Sequence, residues 1–493
     1  MVRPALGGDD RTGSGTAMPY TFAMASPPWM WPARRLVAAV AAGELSAVEV
    51  VGAHLDRIAA VDRHLNAFVD VDADRAVGAA AAQDQAAARG LPRGPLGGVP
   101  VTIKSAIDVE GLRCETGSPS RLGMRATADA VVVARLRAAG AIVLGTTNVA
   151  EMLMGYETVN PLHGRTVSPW DPARTPGGSS GGESAAIAAG CSAGGIGSDG
   201  GGSIRVPAHF AGICGLKPTP GRIPGTGHQP ACLGPFSILG VVGPMARTVD
   251  DLVLLYRATA GWDATDPMAT PLAADATIDA HDWQVGWFEA HPDAPVTADT
   301  AAAVRQAVAA LGAQGLATAP CRPAALDRAG ALWRVFFCEV GGQVLGEVLG
   351  DGAANALPIL AAHGAQHATS PLTSARLVQA WIDRDLLRAE LLAAMATHPI
   401  LVCPVTSTPA FRHDERGWAV DGMNVSYLDA MLYTQWANVL GLPAAVVPVR
   451  RSVEGLPIGV QVIGRPYEEA RVLEVAAAIE RGSDGVGWPP LAA

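Results

Sequence analysis

The sequence predicts an α/β fold, a mixed and largely parallel central sheet covered by helices on both faces, with a helical insertion. Three observations predict it. Short apolar runs of strand length alternate with segments of helical period, the rhythm of a sheet buried on both sides. Hydrophobic residues make up 49% of the 493, and the mean hydropathy is +0.23, so a large core is available. Glycine-rich turns separate strand-like from helix-like runs between residues 175 and 210, where the chain must reverse tightly. A chain this long exceeds one ordinary domain, yet α/β folds often reach such lengths as one unit. The expected layout is a disordered tail over 1–28 and a single domain over 29–485. The domain divides into a helical part (33–90), a core (95–265), a helical insertion or cap (274–398) and a return of the core (399–482).

The elements follow in order. Residues 33–61 show helical periodicity; Gly43 closes a first helix, and Ser46 with Glu49 forms a capping box that opens a second. The alanine-rich stretch 72–89 reads as a third helix. A turn over 94–100 leads into a buried strand, 99–103, that ends at Lys104. Helix 129–139 and strand 141–144 come next. Then follow helix 183–189, strand 193–197 and a helix that starts at Ser203, with Pro207 early enough to be tolerated. The apolar stretch 230–246 reads as loops, because Gly234, Pro235, Gly240, Gly243 and Pro244 interrupt it. Strands resume at 400–404, 444–449 and 458–462, before a closing helix over 467–481.

Composition narrows the functional classes. The formal net charge of −10 supplies no basic footprint for nucleic acid. Seven cysteines, an odd number without a C-x-x-C pair, read as buried thiols in a reducing compartment and give no metal site. Residues 1–28 lack a secretory pattern, and no apolar run reads as a bilayer span, so a cytoplasmic location without membrane insertion is expected. No motif calls for a cofactor. The chain has only two lysines, Lys104 and Lys217. A buried lysine can lose its proton near neutral pH and act as a base, which arginine cannot do. Lys217, in G-L-K-P-T-P, reads as a turn anchor; Lys104, at the end of the apolar run V-P-V-T-I-K, is the better candidate.

Three glycine motifs compete. G-x-S-x-G at 177–181 would make Ser179 an elbow nucleophile, but no downstream histidine sits in a recognisable motif. G-x-G-x-x-G at 195–200 lacks the acidic residue a dinucleotide fold requires about 20 positions on; beyond Ile204 the next acid is Asp250. The lysine-bearing phosphate loop is absent. What remains is Lys104, Ser179 and Ser203. A serine hydroxyl needs a base to become nucleophilic, and lysine can replace histidine in that role. If Ser203 attacks, the N–H groups of Gly200, Gly201, Gly202 and Ser203 can converge on a developing oxyanion. Singly, Ser179 and Ser203 also read as plain helix N-caps.

The lines G-G-S-S-G-G-E-S-A (177–185) and D-G-G-G-S-I-R-V-P-A (199–208) are highly specific. With T-N-V-A-E (147–151), G-L-K-P-T (215–219) and G-L-P-I-G-V-Q-V-I-G (455–464), they make the chain resemble the amidase signature hydrolases over about residues 34–480. The resemblance implies that fold, with Ser203 as nucleophile, Ser179 as a bridging serine in a cis peptide, and Lys104 as base. It further implies that Ser180 is a neighbour of the relay and that Ser198 hydrogen-bonds the lysine. Asp199 and Arg205 would brace the loop. Gly200 departs from many members, which carry a bulkier residue there, and this implies a looser oxyanion loop with no donor lost. For Lys104 to be neutral near pH 7.5, its pKa must fall from 10.4 to near neutrality, about 4 kcal/mol against the charged form.

The implied activity is hydrolysis of carboxamide C–N bonds in small molecules through an acyl-enzyme on Ser203. Aryl or alkyl amides are the leading substrates, with carbamates (urethanes) and esters beside them. Leu153, Met154, Tyr156, Phe236, Trp333, Phe336 and Phe337 are expected to line an apolar pocket, although each also suits an ordinary core. Relatives make a homodimer the expected assembly. The alternative is a glutamine amidotransferase A-type subunit that works only with partner subunits.

Overall fold

The structure, a computed structural model, describes residues 26–272, 284–349 and 372–492. Eleven of the strands among these residues form one sheet. In chain order they are β1 (Phe68–Val71), β2 (Pro100–Lys104), β3 (Ile142–Thr147), β4 (Gly194–Asp199), β5 (Cys214–Lys217) and β6 (Val241–Ala246). They continue as β7 (Gln284–Trp287), β8 (Ala317–Pro320), β9 (Ile400–Pro404), β10 (Ala444–Arg451) and β11 (Pro457–Gly464). Across the sheet they lie in the order β1-β3-β2-β4-β6-β5-β10-β11-β9-β7-β8.

The sheet is mixed. Parallel pairing joins β3, β2 and β4 on one side and β9, β7 and β8 on the other. The strands between these blocks, and the β1 edge, pair antiparallel. Apolar runs reveal burial but carry no direction, so the sequence could not assign the two blocks. Alternation divides the core. Ala445 and Val447 of β10 pack with Val460, Val462, Leu255, Val304 and Val475. Their neighbours Ala444 and Val446 turn to two other clusters. With both faces covered, these strands read as continuous apolar runs.

The first helices in chain order are α1 (Ala33–Ala42), α2 (Ala47–Leu65), α3 (Ala73–Ala88), α4 (Val131–Ala138), α5 (Gly181–Ala188) and α6 (Arg205–Ala211), the last two following the serine-bearing loops. Gly43 closes α1 in a left-handed conformation at φ 72°. The Ser46–Glu49 capping box opens α2: the Glu49 N–H donates to Ser46 Oγ, and the Ser46 N–H donates to the Glu49 carboxylate.

Several expectations are corrected. Residues 230–246 are not all loop: β6 runs through Gly243 and Pro244, paired with β4 and β5. A Cβ at Gly243 would lie 2.1 Å from the Leu216 carbonyl oxygen, so close strand approach demands the glycine that suggested a loop. The stretch 274–398 is not purely helical, since β7 and β8 extend the main sheet from within it. The same stretch holds, besides a helix over Ala298–Ala313, α7 (Leu326–Arg334), α8 (Val340–Leu349) and α9 (Ser374–Ala394). The helix placed at Ser203 begins at Arg205, because residues 200–204 form a loop. Residues 1–25 of the expected tail lie outside the described residues, as do 274–283 and 350–371 of the expected insertion. Pro28, the tail's last residue, opens a short 3-10 turn.

Candidate active site

The parallel neighbours β2 and β4 end side by side, and their carboxyl ends deliver Lys104, Ser198 and Asp199 to one place. Such strand ends are where open α/β sheets bind ligands. Lys104 is fully buried. Its Nζ donates to Ser179 Oγ at 2.6 Å and to the Ser198 carbonyl oxygen at 3.3 Å. Burial pushes the Lys104 ammonium down to about 7, against Asp199, Cys232 and Glu183, which favour the charged form. The Gly178–Ser179 peptide is cis. Ser203 is 8% exposed and borders the same cavity as Ser179; its hydroxyl has no hydrogen-bond partner among the described residues. Ser180 ties the two strands of the motif together. Its N–H donates to the Ser203 carbonyl at 3.2 Å, and its hydroxyl to the Ser198 carbonyl at 3.2 Å.

The loop 200–204 is held from within. The Asp199 carboxylate accepts from the N–H groups of Gly202 at 2.8 Å and Ile204 at 3.0 Å, and from Arg205 Nε at 3.1 Å and Nη2 at 2.9 Å. Burial opposes ionisation of Asp199, but the Arg205 guanidinium, Lys217 and the Ile204 N–H outweigh it and hold the carboxyl well below its usual range. One consequence corrects the expected set of oxyanion donors. The Gly202 N–H is committed to Asp199, whereas the N–H groups of Gly200, Gly201 and Ser203 have no acceptor among the described residues. Ser198 meets the lysine through its carbonyl; its hydroxyl pairs instead with His228 Nε2 at 2.9 Å.

A cavity of about 110 Å³ opens over Ser179 and Ser203. Of the expected lining, Leu153, Met154, Phe236 and Phe337 border it. Tyr156 and Trp333 instead border a recess of about 20 Å³ beside Ser203. Phe336 reaches neither: it is fully buried and packs edge-on against Trp381, ring centroids 5.0 Å apart. Phe336 and Phe337 both sit on a turn of π-helix over Val335–Glu339, where consecutive side chains leave the helix in different directions. Nor is the loop left loose beside Gly200, where a Cβ would lie 3.2 Å from Phe337 Cε2.

Met152, His228, Cys232 and Val344 also line the cavity, and sequence reasoning missed them. His228 stands alone in T-G-H-Q-P, with no spacing to betray it. Its Nδ1 faces the Pro230 carbonyl at 2.9 Å, an acceptor only, so Nδ1 carries the hydrogen and Nε2 accepts from Ser198. Burial pushes the imidazole down to about 4. Beneath the site, Glu183 is buried on the hydroxyls of Thr102 and Thr147, and burial pushes its carboxyl up to about 7. Lys217 donates to the Pro218 carbonyl at 2.8 Å, which fits the turn-anchor reading. Among the described residues, no cluster of three or more His, Cys, Asp or Glu side chains is arranged to hold a metal. In the same residues, no helix is long and apolar enough to cross a membrane.

The family model described as Amidase matches residues 49–473. An indoleacetamide hydrolase of Bradyrhizobium diazoefficiens is 35% identical over 462 residues, covering 92% of this chain and 87% of that protein. The A-type subunit of a glutamyl-tRNA(Gln) amidotransferase, from Roseiflexus castenholzii, is 36% identical over 471 residues, covering 90% of this chain and 94% of that protein. Among solved structures, a bacterial aryl acylamidase of the amidase signature family superposes with a TM-score of 0.81 at 25% identity. That match covers 92% of this chain and 96% of the other.

Proposed function

This chain belongs to the amidase family, and on that premise we propose that it hydrolyses small-molecule amides through an acyl-enzyme on Ser203, with Ser179 as relay and Lys104 as base. The observation that carries the reading is the 2.6 Å contact between Lys104 Nζ and Ser179 Oγ at the foot of the cavity that Ser203 borders. Neutral Lys104 accepts the Ser179 proton, and Ser179 accepts that of Ser203 as Ser203 Oγ bonds to the acyl carbon. Charge on the acyl oxygen is met by the N–H groups of Gly200, Gly201 and Ser203; each such donor is worth about 3–4 kcal/mol in the transition state. Ser179 then protonates the leaving nitrogen, without which an amide anion would have to depart. Water enters by the same relay in reverse and frees the acid.

Substrate class follows from the lining. Met152, Leu153, Met154, Phe236 and Phe337 offer an apolar wall. Asp199, the acid beside them, is neutralised by Arg205. We therefore assign aryl or alkyl amides first, and carbamates of the same shape second. Turnover of a nitroanilide by the purified chain tests this, with Ser203 identified by fluorophosphonate labelling and peptide mass spectrometry. Retained activity in Ser203→Ala would overturn the reading.

The relatives named as amidotransferase subunits support a second reading, a glutaminase that acts only with partners. Glutamine presents an α-carboxylate and an α-ammonium, and among the described residues no cationic side chain lines the cavity. Glutamine hydrolysis that appears only with partner subunits, and no anilide turnover alone, would favour that second reading.

A further inference from the structure

We infer that Trp333 is a positioning residue for the loop facing Ser203: its indole N–H sets the Gly200–Gly201 peptide and thereby the Gly201 N–H that meets the substrate's developing oxyanion. The inference rests on the reading of Ser203 as nucleophile. A peptide unit is planar and trans here, so holding its carbonyl on one side fixes its N–H on the other. Each peptide of the loop has an identifiable hold. The Asp199 carbonyl accepts from Asn438 Nδ2 at 3.1 Å, which sets the Gly200 N–H. The Gly201 carbonyl accepts from Tyr156 Oη at 2.9 Å and Thr434 Oγ1 at 2.6 Å. The Gly202 carbonyl accepts the Val206 N–H at 2.7 Å, which sets the Ser203 N–H. The Gly200 carbonyl accepts from Trp333 Nε1 at 3.0 Å.

Trp333 is therefore the one hold on this loop, among the described residues, that comes from α7 in the stretch 274–398. It is built to keep its place. The residue is 1% exposed, and its ring stacks on Phe337 with centroids 4.5 Å apart and planes 15° apart. A Cβ on Gly201 would lie 2.5 Å from Trp333 Cζ2, so the bare glycine loop lies directly against the indole. Phe337, the ring that steadies Trp333, also borders the cavity over Ser203.

The experiment replaces Trp333 twice, as Trp333→Phe and as Trp333→benzothienylalanine, the latter keeping the ring shape and deleting only the N–H. For anilide hydrolysis, both variants are expected to lose about tenfold or more in kcat, with KM within about twofold. The melting temperature of the isosteric variant should match the parent, which keeps the test readable if the Phe variant folds poorly. Unchanged kcat in the isosteric variant, or a rise in KM alone, overturns the inference. Ser203→Ala runs beside them: if it abolishes activity while the isosteric variant is unaffected, only the role of Trp333 fails. If Ser203→Ala stays active, the proposed function fails first.

Discussion

Lys104 Nζ meets Ser179 Oγ at 2.6 Å where neither residue is exposed, so the proton state of the lysine sets the direction of their hydrogen bond. A charged lysine can only donate; a neutral one can take the serine proton. Burial brings the ammonium to about 7, so the lysine is mostly charged below that pH and mostly neutral above it. We expect kcat/KM for an anilide to rise with pH through about 7 and level off above. Buried Glu183 titrates in the same range and favours the charged lysine, so the inflection belongs to the pair. Glu183→Gln should move it to lower pH. A profile flat from about pH 5.5 to about pH 9 would contradict the assignment of the base.

Substitutions in the relay should not add. Ser203→Ala and Lys104→Ala are each expected to lower kcat/KM by about a thousandfold or more, and the double variant little further, as when members of one catalytic unit are removed together. Lys104→Arg should fare no better, because a guanidinium keeps its charge and cannot serve as base. Initial rates across the four proteins decide it.

Acid should destabilise the fold through its buried histidines. Burial pushes His54 down to about 3, and His209 and His228 to about 4. Their folded values lie below the unfolded value of 6.5, so the unfolded chain binds more protons as pH falls below that point. Stability held above about 6.5 is thus lost as pH drops toward about 4, up to about 1.4 kcal/mol per histidine for each pH unit. Glu183, raised to about 7, works the other way between 7 and 4.5 and blunts the trend. Urea midpoints at about pH 7, 5.5 and 4.5 should fall in that order. No decline would mean that these histidines charge without unfolding.

Gly195 sits under α5 with no room for a methyl group. A Cβ there would lie 1.9 Å from Glu183 Oε1 and 2.3 Å from the Thr102 carbonyl oxygen. Gly195→Ala should cost about 1–3 kcal/mol in urea unfolding and lower activity by shifting β4 against β2. An unchanged midpoint would show that the contact relaxes freely.

Much of this architecture was legible because local chemistry dictated it. The Ser46–Glu49 box and Gly43 terminate helices by backbone rules that need no tertiary context. Lys104 announced itself by standing at the end of an apolar run in a chain nearly devoid of lysine. Other features depend on approach between distant segments. Gly243 and Pro244 look like loop residues until the Leu216 carbonyl presses on the strand. The commitment of the Gly202 N–H to Asp199 arises from a fold-back of three residues that spacing alone could not orient. Phe336 and Phe337 are indistinguishable as letters; which side of their helix meets the core and which the cavity is decided by packing between distant segments. His228 reaches Ser198 across 30 residues with no motif to mark it.

Both lysines of this chain are buried completely, one beneath the cavity and one at a turn. The described surface consequently offers amine-directed reagents no side chain. Cross-linkers, biotin esters and amine-coupling matrices would find little besides the α-amino terminus to attack. Modification of Lys104 or Lys217 would therefore report opening of the fold around a buried side chain. Amine-coupling chemistry that disables many proteins at random should leave Lys104 and Lys217 untouched in the folded chain.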